Sequence, residues 1–317
     1  MAALDFERPL LELERRIAEL KSVADGASEF TIEISRLEEK ALQLQREIFD
    51  DLSRWQKVQL CRHADRPYTL DYIHRSFEDW IELHGDRAYA DDRSIVAGLA
   101  RLGGQSVMVI GHQKGRGTKE NMVRNFGMPN PEGYRKARRL MELADHFQRP
   151  IVTLIDTPGA YPGLGAEERG QSEAIGQCLL TMSRLRVPVV AVVIGEGGSG
   201  GALALGVANR VLMLEYATYS VITPEGCATI LWKDASKAAA AAEELKITAA
   251  DLQRFGLIDG IVAEPPGGAH RDYDDAAKRV SVAISTQLEQ LSSLGPEQLR
   301  DDRYDKFRAI GAIAHRV

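Results

Sequence analysis

Residues 1 to about 60 carry apolar side chains at alternating steps of three and four. Leu10, Leu13, Ile17, Leu20 and Ala24 form one such series, and Ile34, Leu37, Ala41, Leu44 and Ile48 another, which Leu52 and Trp55 continue with a shift. Charged residues fill the gaps. The spacing puts an apolar stripe on each of two helices, broken near Asp25-Gly26. Such a hairpin packs on its own domain, serves as an arm for subunit assembly, or does both.

Beyond residue 60 the pattern changes. Tyr68 to Leu83 reads as helical, ending at the turn-like His84-Gly85-Asp86. Ser94 to Leu99 and Gln105 to Ile110 are strand-like runs around Gly103-Gly104, which predicts a hairpin. Helices are expected over Pro131 to Phe147 and Glu167 to Leu185, and a short apolar strand over Pro150 to Ile155. Val187 to Ile194 is an apolar, β-branched run, and Ser220 to Ile222 is a further short strand. Ala235 to Leu245 is alanine-rich and helical, Thr248 is placed to cap a helix, and Gly256 to Val262 returns as turn and strand. After the loop at Pro265-Pro266-Gly267-Gly268, the remainder is helical. Strands alternating with helices imply an α/β fold with a parallel sheet.

The strand at Val187 runs into Gly195, Gly197, Gly198, Gly200 and Gly201, then into a small-residue, helix-like stretch. A strand, a glycine turn and a helix start bring bare backbone N–H groups to a ligand, with the positive end of the helix dipole behind them. The strand at Pro150 also ends in a glycine loop, Asp156-Thr157-Pro158-Gly159. Two such loops at the carboxyl ends of neighbouring strands line one crevice, where ligands of α/β folds bind. The expected site is an anion or oxyanion site made of backbone.

Composition narrows the class. The chain has 317 residues, 44% of them hydrophobic and 27% charged, with a net charge of −6. That is ordinary for a globular protein and does not suggest a nucleic-acid binder. Cys61, Cys178 and Cys227 form no CxxC pair, so neither a zinc ribbon nor a disulfide framework is indicated. The seven histidines show no HxH or HExxH spacing, so no metal site is expected in this chain. The N-terminus has no basic region followed by an apolar core, and the longest apolar run is far short of the ~20 residues that cross a membrane. A cytoplasmic location is expected.

The same residues bear on other chemistries. Gly197-Gly198-Ser199-Gly200-Gly201 satisfies the G-x-S-x-G nucleophile elbow, which makes Ser199 a candidate nucleophile. That reading needs a histidine base, and only His270 and His315 follow. Asp156-Thr157-Pro158-Gly159 resembles a GTPase switch motif, but no G-x-x-x-x-G-K-[ST] precedes it. His112-Gln113-Lys114-Gly115-Arg116, with Lys119 and Arg124 beyond, is either a site for an anionic ligand or a solvated loop.

Long segments in fixed order carry a resemblance: LDYIHRSFEDWIELHGDRAYADD, IGHQKGRGTKENMVRNFGMPNPEGYRKARRLM, IDTPGAYPGLGAEERGQSEAI, VIGEGGSGGALALGVANRVLMLEYATYSVITPEGCATILWKD and EPPGGAHRD. The chain resembles the carboxyltransferase alpha subunit of bacterial-type acetyl-CoA carboxylase. The resemblance covers most of the chain, and its last forty or so residues are less distinctive.

The resemblance implies a crotonase-like ββα superhelix over residues 63–295, with an N-terminal helical assembly region at 1–62 and a helical tail at 296–317. It implies transfer of a carboxyl group from carboxybiotin to acetyl-CoA, giving malonyl-CoA for fatty acid synthesis. The partners implied are a beta subunit in an α2β2 assembly, biotin carboxylase and the biotin carboxyl carrier protein. No cofactor is bound covalently in this chain, zinc belongs to the beta subunit, and ATP binding belongs to the whole complex. Gly200 and Gly201 would hold the biotin carbonyl by backbone N–H, with Gly159 and Ala160 as a second donor region. Gly197, Gly198, Ser199, Glu196, Lys114 and Arg169 are further candidates for substrate contact. Another acyl-CoA enzyme of this fold, a decarboxylase or hydratase, is the alternative. A non-enzymatic scaffold has no use for bare N–H groups at a helix start.

Overall fold

A computed structural model describes residues 4–23 and 28–311. Among these residues eight strands form one sheet: β1 (Glu78–Glu82), β2 (Ile95–Leu102), β3 (Gln105–His112), β4 (Ile151–Thr157), β5 (Val189–Gly198), β6 (Arg210–Leu214), β7 (Thr218–Ser220) and β8 (Gly260–Val262). Their order is β1-β2-β3-β4-β5-β6-β8, and β7 extends the ladder of β5. The first three strands pair antiparallel and the rest parallel.

The hairpin turns at Gly103 and Gly104, both at positive φ, as the sequence predicts. Every residue of β4 and β5 is buried, which is why both strands read as unbroken apolar runs rather than alternating ones. Helices Pro131–His146, Gln171–Arg184 and Tyr273–Leu291 supply the side chains that cover them. Pro131 takes the first position of its helix, where a missing N–H costs nothing.

Three expectations change. The region from Tyr68 is helical only over Thr69–Ser76, and Glu78–Glu82 is an edge strand held by pairing with β2. Tertiary pairing overrides a weak local pattern there. The helix expected from Glu167 starts earlier, as Leu164–Glu168, and a second helix, Gln171–Arg184, follows Gly170, whose φ of +80° interrupts the run. Thr248 does precede helix Ala249–Arg254, but its hydroxyl donates to Asp251 rather than accepting from the helix backbone.

The N-terminal helices Arg8–Val23 and Ser28–Asp50 pack together, with Lys21 and Glu38 2.6 Å apart; the break near Asp25-Gly26 lies outside the described residues. Leu10, Phe49 and Leu52 meet Leu60 and Tyr216, so the hairpin packs on the body of its own chain. Arg54 continues this join, donating to both oxygens of Asp251 at 2.7 Å and to Glu243. Buried Glu7 adds a clamp. Its Oε1 lies 3.0 Å from His270 Nε2, and its Oε2 lies 3.9 Å from His63 Nε2. His63 Nδ1 accepts from the Asp65 N–H, so a neutral His63 carries its proton on Nε2, facing the carboxylate. Burial opposes the charge on Glu7, but His270, the Leu4 N–H and His63 together outweigh it and the carboxyl is held below its usual range. These three residues are far apart in the chain, so histidine spacing gave no sign of them; one ligand atom from each lies within 4.8 Å of the others, a grouping that could hold a metal ion and that the sequence did not lead one to expect.

At the other end of the chain, Arg303 of helix Pro296–Ala309 is fully buried. Its guanidinium donates to the carbonyls of Met182, Leu185 and Val187 and to Asn209, pinning the helix to the segment that enters β5.

Candidate active site

Neighbouring parallel strands β4 and β5 end on the same side of the sheet, and their loops enclose a groove of about 300 Å³. Residues 158–160 form one lip and residues 199–201 the other, with Ile175 and Ile222 on the walls. Among the described residues no charged side chain lines it. A larger cleft of about 880 Å³ lies where β4 and β5 begin, bounded by Pro150, Val187 and Pro188. It is remote from both glycine loops and brings together none of the expected site residues.

Glycine lets the two loops touch. A Cβ on Gly198 would lie 2.1 Å from the Pro158 carbonyl oxygen, and one on Gly201 would lie 2.5 Å from the Ala160 nitrogen. Gly195, Gly197 and Gly198 are therefore not turn residues as the sequence suggested. They belong to β5, and their missing side chains make room for Asp156, Tyr219 and Pro158. The chain turns only at Ser199, whose φ is +55°, into a short helix, Ser199–Leu203.

The backbone donors follow from this. Gly200 and Gly201 lie in the first turn of that helix, where N–H groups have no partner within the helix, and no side chain caps it. Across the groove, the Gly159 N–H is taken by Thr157 Oγ1 at 3.1 Å, which removes it from the expected donor pair. Among the described residues nothing accepts from the Ala160 N–H. The groove thus presents bare N–H groups from both lips.

Behind the groove lie Tyr134, which sequence reasoning missed, and His112, which the sequence offered only as part of a basic loop. The Tyr134 hydroxyl and both ring nitrogens of His112 are buried without a hydrogen-bond partner. A Cβ on Gly201 would stand 2.8 Å from the Tyr134 oxygen. Burial pushes His112 down to about 3, so the ring is neutral. Tyr134 follows Gly133 inside an ordinary amphipathic helix, and no signal in the sequence marks it.

Lys114 and Glu196 come together, but with each other's partners rather than in the groove. Lys114 Nζ lies 2.6 Å from Asp156 and 3.8 Å from Glu196. Arg62 binds Glu196 at 2.6 Å and Glu225 at 2.7 Å. Burial opposes the Lys114 charge, yet Asp156 and Glu196 outweigh it and hold its pKa above the ordinary value. Arg116 and Arg124 are also engaged, the first by Asp71 and Tyr273, the second by the Arg93 carbonyl. The basic loop is thus largely neutralised from within. Arg169 stands apart from this group, paired with Glu132 at 3.0 Å and stacked over Tyr89.

Ser199 has the strained backbone of a nucleophile elbow; of its two candidate bases, His315 lies outside the described residues. Among the described residues no histidine or carboxylate bonds to its hydroxyl, and His270 is committed to Glu7 and His63. Among the described residues no helix is long and apolar enough to cross a membrane.

The architecture is that of the crotonase-like carboxyltransferases. The chain superimposes on transcarboxylase 12S, solved with methylmalonyl-coenzyme A and methylmalonic acid bound, with a TM-score of 0.58 at 23% identity; 72% of this chain matches 42% of that one. It matches the family described as acetyl co-enzyme A carboxylase carboxyltransferase-like over residues 3–311, and it belongs to that family. It is 62% identical over 310 residues to the acetyl-coenzyme A carboxylase carboxyl transferase subunit alpha of Sorangium cellulosum, covering 98% of each. The subunit of the same name from Thermus thermophilus is 59% identical over 312 residues, covering 98% of this chain and 99% of that one.

Proposed function

We propose that this chain is the alpha half of a carboxyltransferase that moves a carboxyl group from carboxybiotin to acetyl-CoA, giving malonyl-CoA. The observation that carries the reading is the groove itself, an uncharged cleft with bare N–H groups on both lips, in a chain that matches the Sorangium cellulosum subunit over 98% of its length. Carboxybiotin is the substrate, presented by the biotin carboxyl carrier protein after biotin carboxylase has loaded it. When the carboxyl group leaves, negative charge builds on the ureido oxygen of biotin.

The donor set fits that oxygen. The Gly200, Gly201 and Ala160 N–H groups need no reorientation to stabilise the charge, and the groove holds no carboxylate to oppose it. Losing one such donor typically costs ~10²–10³ in rate. Gly198 acts by letting the lips approach, Gly197 by making room for Tyr219 beside β5, and Ser199 by its backbone, which turns the chain so that the next two N–H groups face the groove.

The beta subunit supplies the thioester site and the zinc ribbon, in an α2β2 assembly in the cytoplasm. Residues 1–62 serve assembly, 63–295 form the catalytic domain, and 296–317 are its tail. The methyl proton of acetyl-CoA goes to the biotin nitrogen freed by departure of the carboxyl group, so this chain needs no histidine or glutamate base.

Co-expression with the beta subunit tests the reading. The pair is expected to form malonyl-CoA from carboxylated carrier protein and acetyl-CoA, and neither chain alone is expected to do so. Ser199→Gly suits a φ of +55° and keeps the transfer going. Loss of a true nucleophile costs about 10⁶-fold. Thioester hydrolysis by this chain alone, abolished in Ser199→Gly, would restore the hydrolase reading and refute this one.

A further inference from the structure

Asp156 lies just before one lip of the groove and Glu196 just before the other. Between the pairs Ile155–Val193 and Thr157–Gly197, β4 advances by two residues while β5 advances by four. The regular ladder is therefore broken at the place where both donor loops begin. Irregularities of this kind re-aim the chain beside active sites.

The Asp156 carboxylate fills the break. Its Oδ1 accepts the Glu196 N–H at 2.9 Å and the Lys114 ammonium at 2.6 Å. Gly195 gives it room, since a Cβ there would lie 2.5 Å from that oxygen. The Glu196 side chain passes the contact on to Arg62, and Arg62 to Glu225. Glu225 lies in the first turn of helix Pro224–Trp232, which follows Ile222 and Thr223 on the groove wall. One chain of alternating charges thus ties β4, β5, the loop after β3 and the wall of the groove together.

We propose that Asp156, with Lys114 as its counter-ion, is a positioning residue for carboxyl transfer, fixing the distance between the Ala160 and Gly200–Gly201 donors. It touches no substrate. Its effect rests on the carboxyltransferase reading above, because it acts through donors assigned there. A misplacement of about 1 Å in such donors costs on the order of 10²-fold in rate.

The test uses the assembled alpha–beta enzyme at a temperature well below its unfolding transition. Asp156→Ala removes both the acceptor and the charge, and kcat is expected to fall about 10²-fold, with the KM for acetyl-CoA nearly unchanged. Asp156→Asn keeps an acceptor for the Glu196 N–H but strands the Lys114 ammonium, and an intermediate loss is expected. Combining Asp156→Asn with Lys114→Gln removes the stranded charge and is expected to recover part of kcat. Should Asp156→Ala not fold, the near-isosteric Asn series decides. Folded, assembled variants with wild-type kcat, or a double variant no better than Asp156→Asn, would overturn the proposal. A wild-type pair that makes no malonyl-CoA would instead refute the functional reading, so the two failures are distinct.

Discussion

Gly201→Val in the assembled enzyme is expected to reduce malonyl-CoA formation by at least ~10²–10³-fold, the usual cost of losing an oxyanion donor. The reason is steric and local. Even a first methyl at this position would lie 2.5 Å from the Ala160 nitrogen, 2.7 Å from the Gly159 carbonyl carbon and 2.8 Å from the Tyr134 oxygen. The valine side chain therefore pushes the two lips apart and occupies the space between their donors. Gly200 provides the control. Its φ is not positive, and a methyl there meets only Ile175, at an ordinary 3.8 Å. Gly200→Ala is accordingly expected to fold and assemble like the parent, losing far less activity than Gly201→Val. Steady-state rates of the two variants at matched assembly decide the matter. Equal activity of Gly201→Val and the parent would remove Gly201 from the site.

Arg66→Met is expected to destabilise the fold by about 3–5 kcal/mol, the range found when one member of a buried ion pair is removed. Arg66 is fully buried, and its two terminal nitrogens bind the two oxygens of Glu264 at 2.9 and 2.5 Å. Its Nε donates to the Ile194 carbonyl in β5, two residues before Glu196. Glu264 also accepts from the backbone N–H groups of Tyr216 and Ala269. The pair therefore joins the segment before helix Thr69–Ser76 to β5 and to the loop after β8. Methionine fills the volume of the arginine stem but leaves the Glu264 charge buried with only backbone partners. Glu264→Gln strands the Arg66 charge in the same way. Denaturant unfolding measures the loss, and a change below about 1 kcal/mol would show that the pair is dispensable.

Much of this was legible in the chain, for identifiable reasons. β4 and β5 announce themselves because strands buried on both faces need apolar, β-branched residues throughout. The two glycine loops were legible because bare N–H groups at the ends of adjacent strands require them. What failed was short-range inference about residues with long-range reasons. Gly195 looks like a turn residue, but it is glycine because the Asp156 carboxylate occupies the place of its side chain. Lys114 looks like a ligand-binding cation, yet its partner lies 42 residues further on, a distance that no local pattern spans. Gly159 looked like a donor until the fold placed the Thr157 hydroxyl against its N–H. The strand Glu78–Glu82 was hidden because it exists only by pairing with β2.

In the proposed mechanism, backbone N–H groups of this chain hold the ureido oxygen of biotin between the two glycine loops. A crystal structure of the alpha–beta complex with biotin bound tests it most directly. That oxygen is expected within about 2.7–3.1 Å of the Gly201 and Ala160 nitrogens, in the groove below Ile222. Biotin bound with its ureido oxygen against a side chain of either subunit, and both backbone donors turned to solvent, would contradict it.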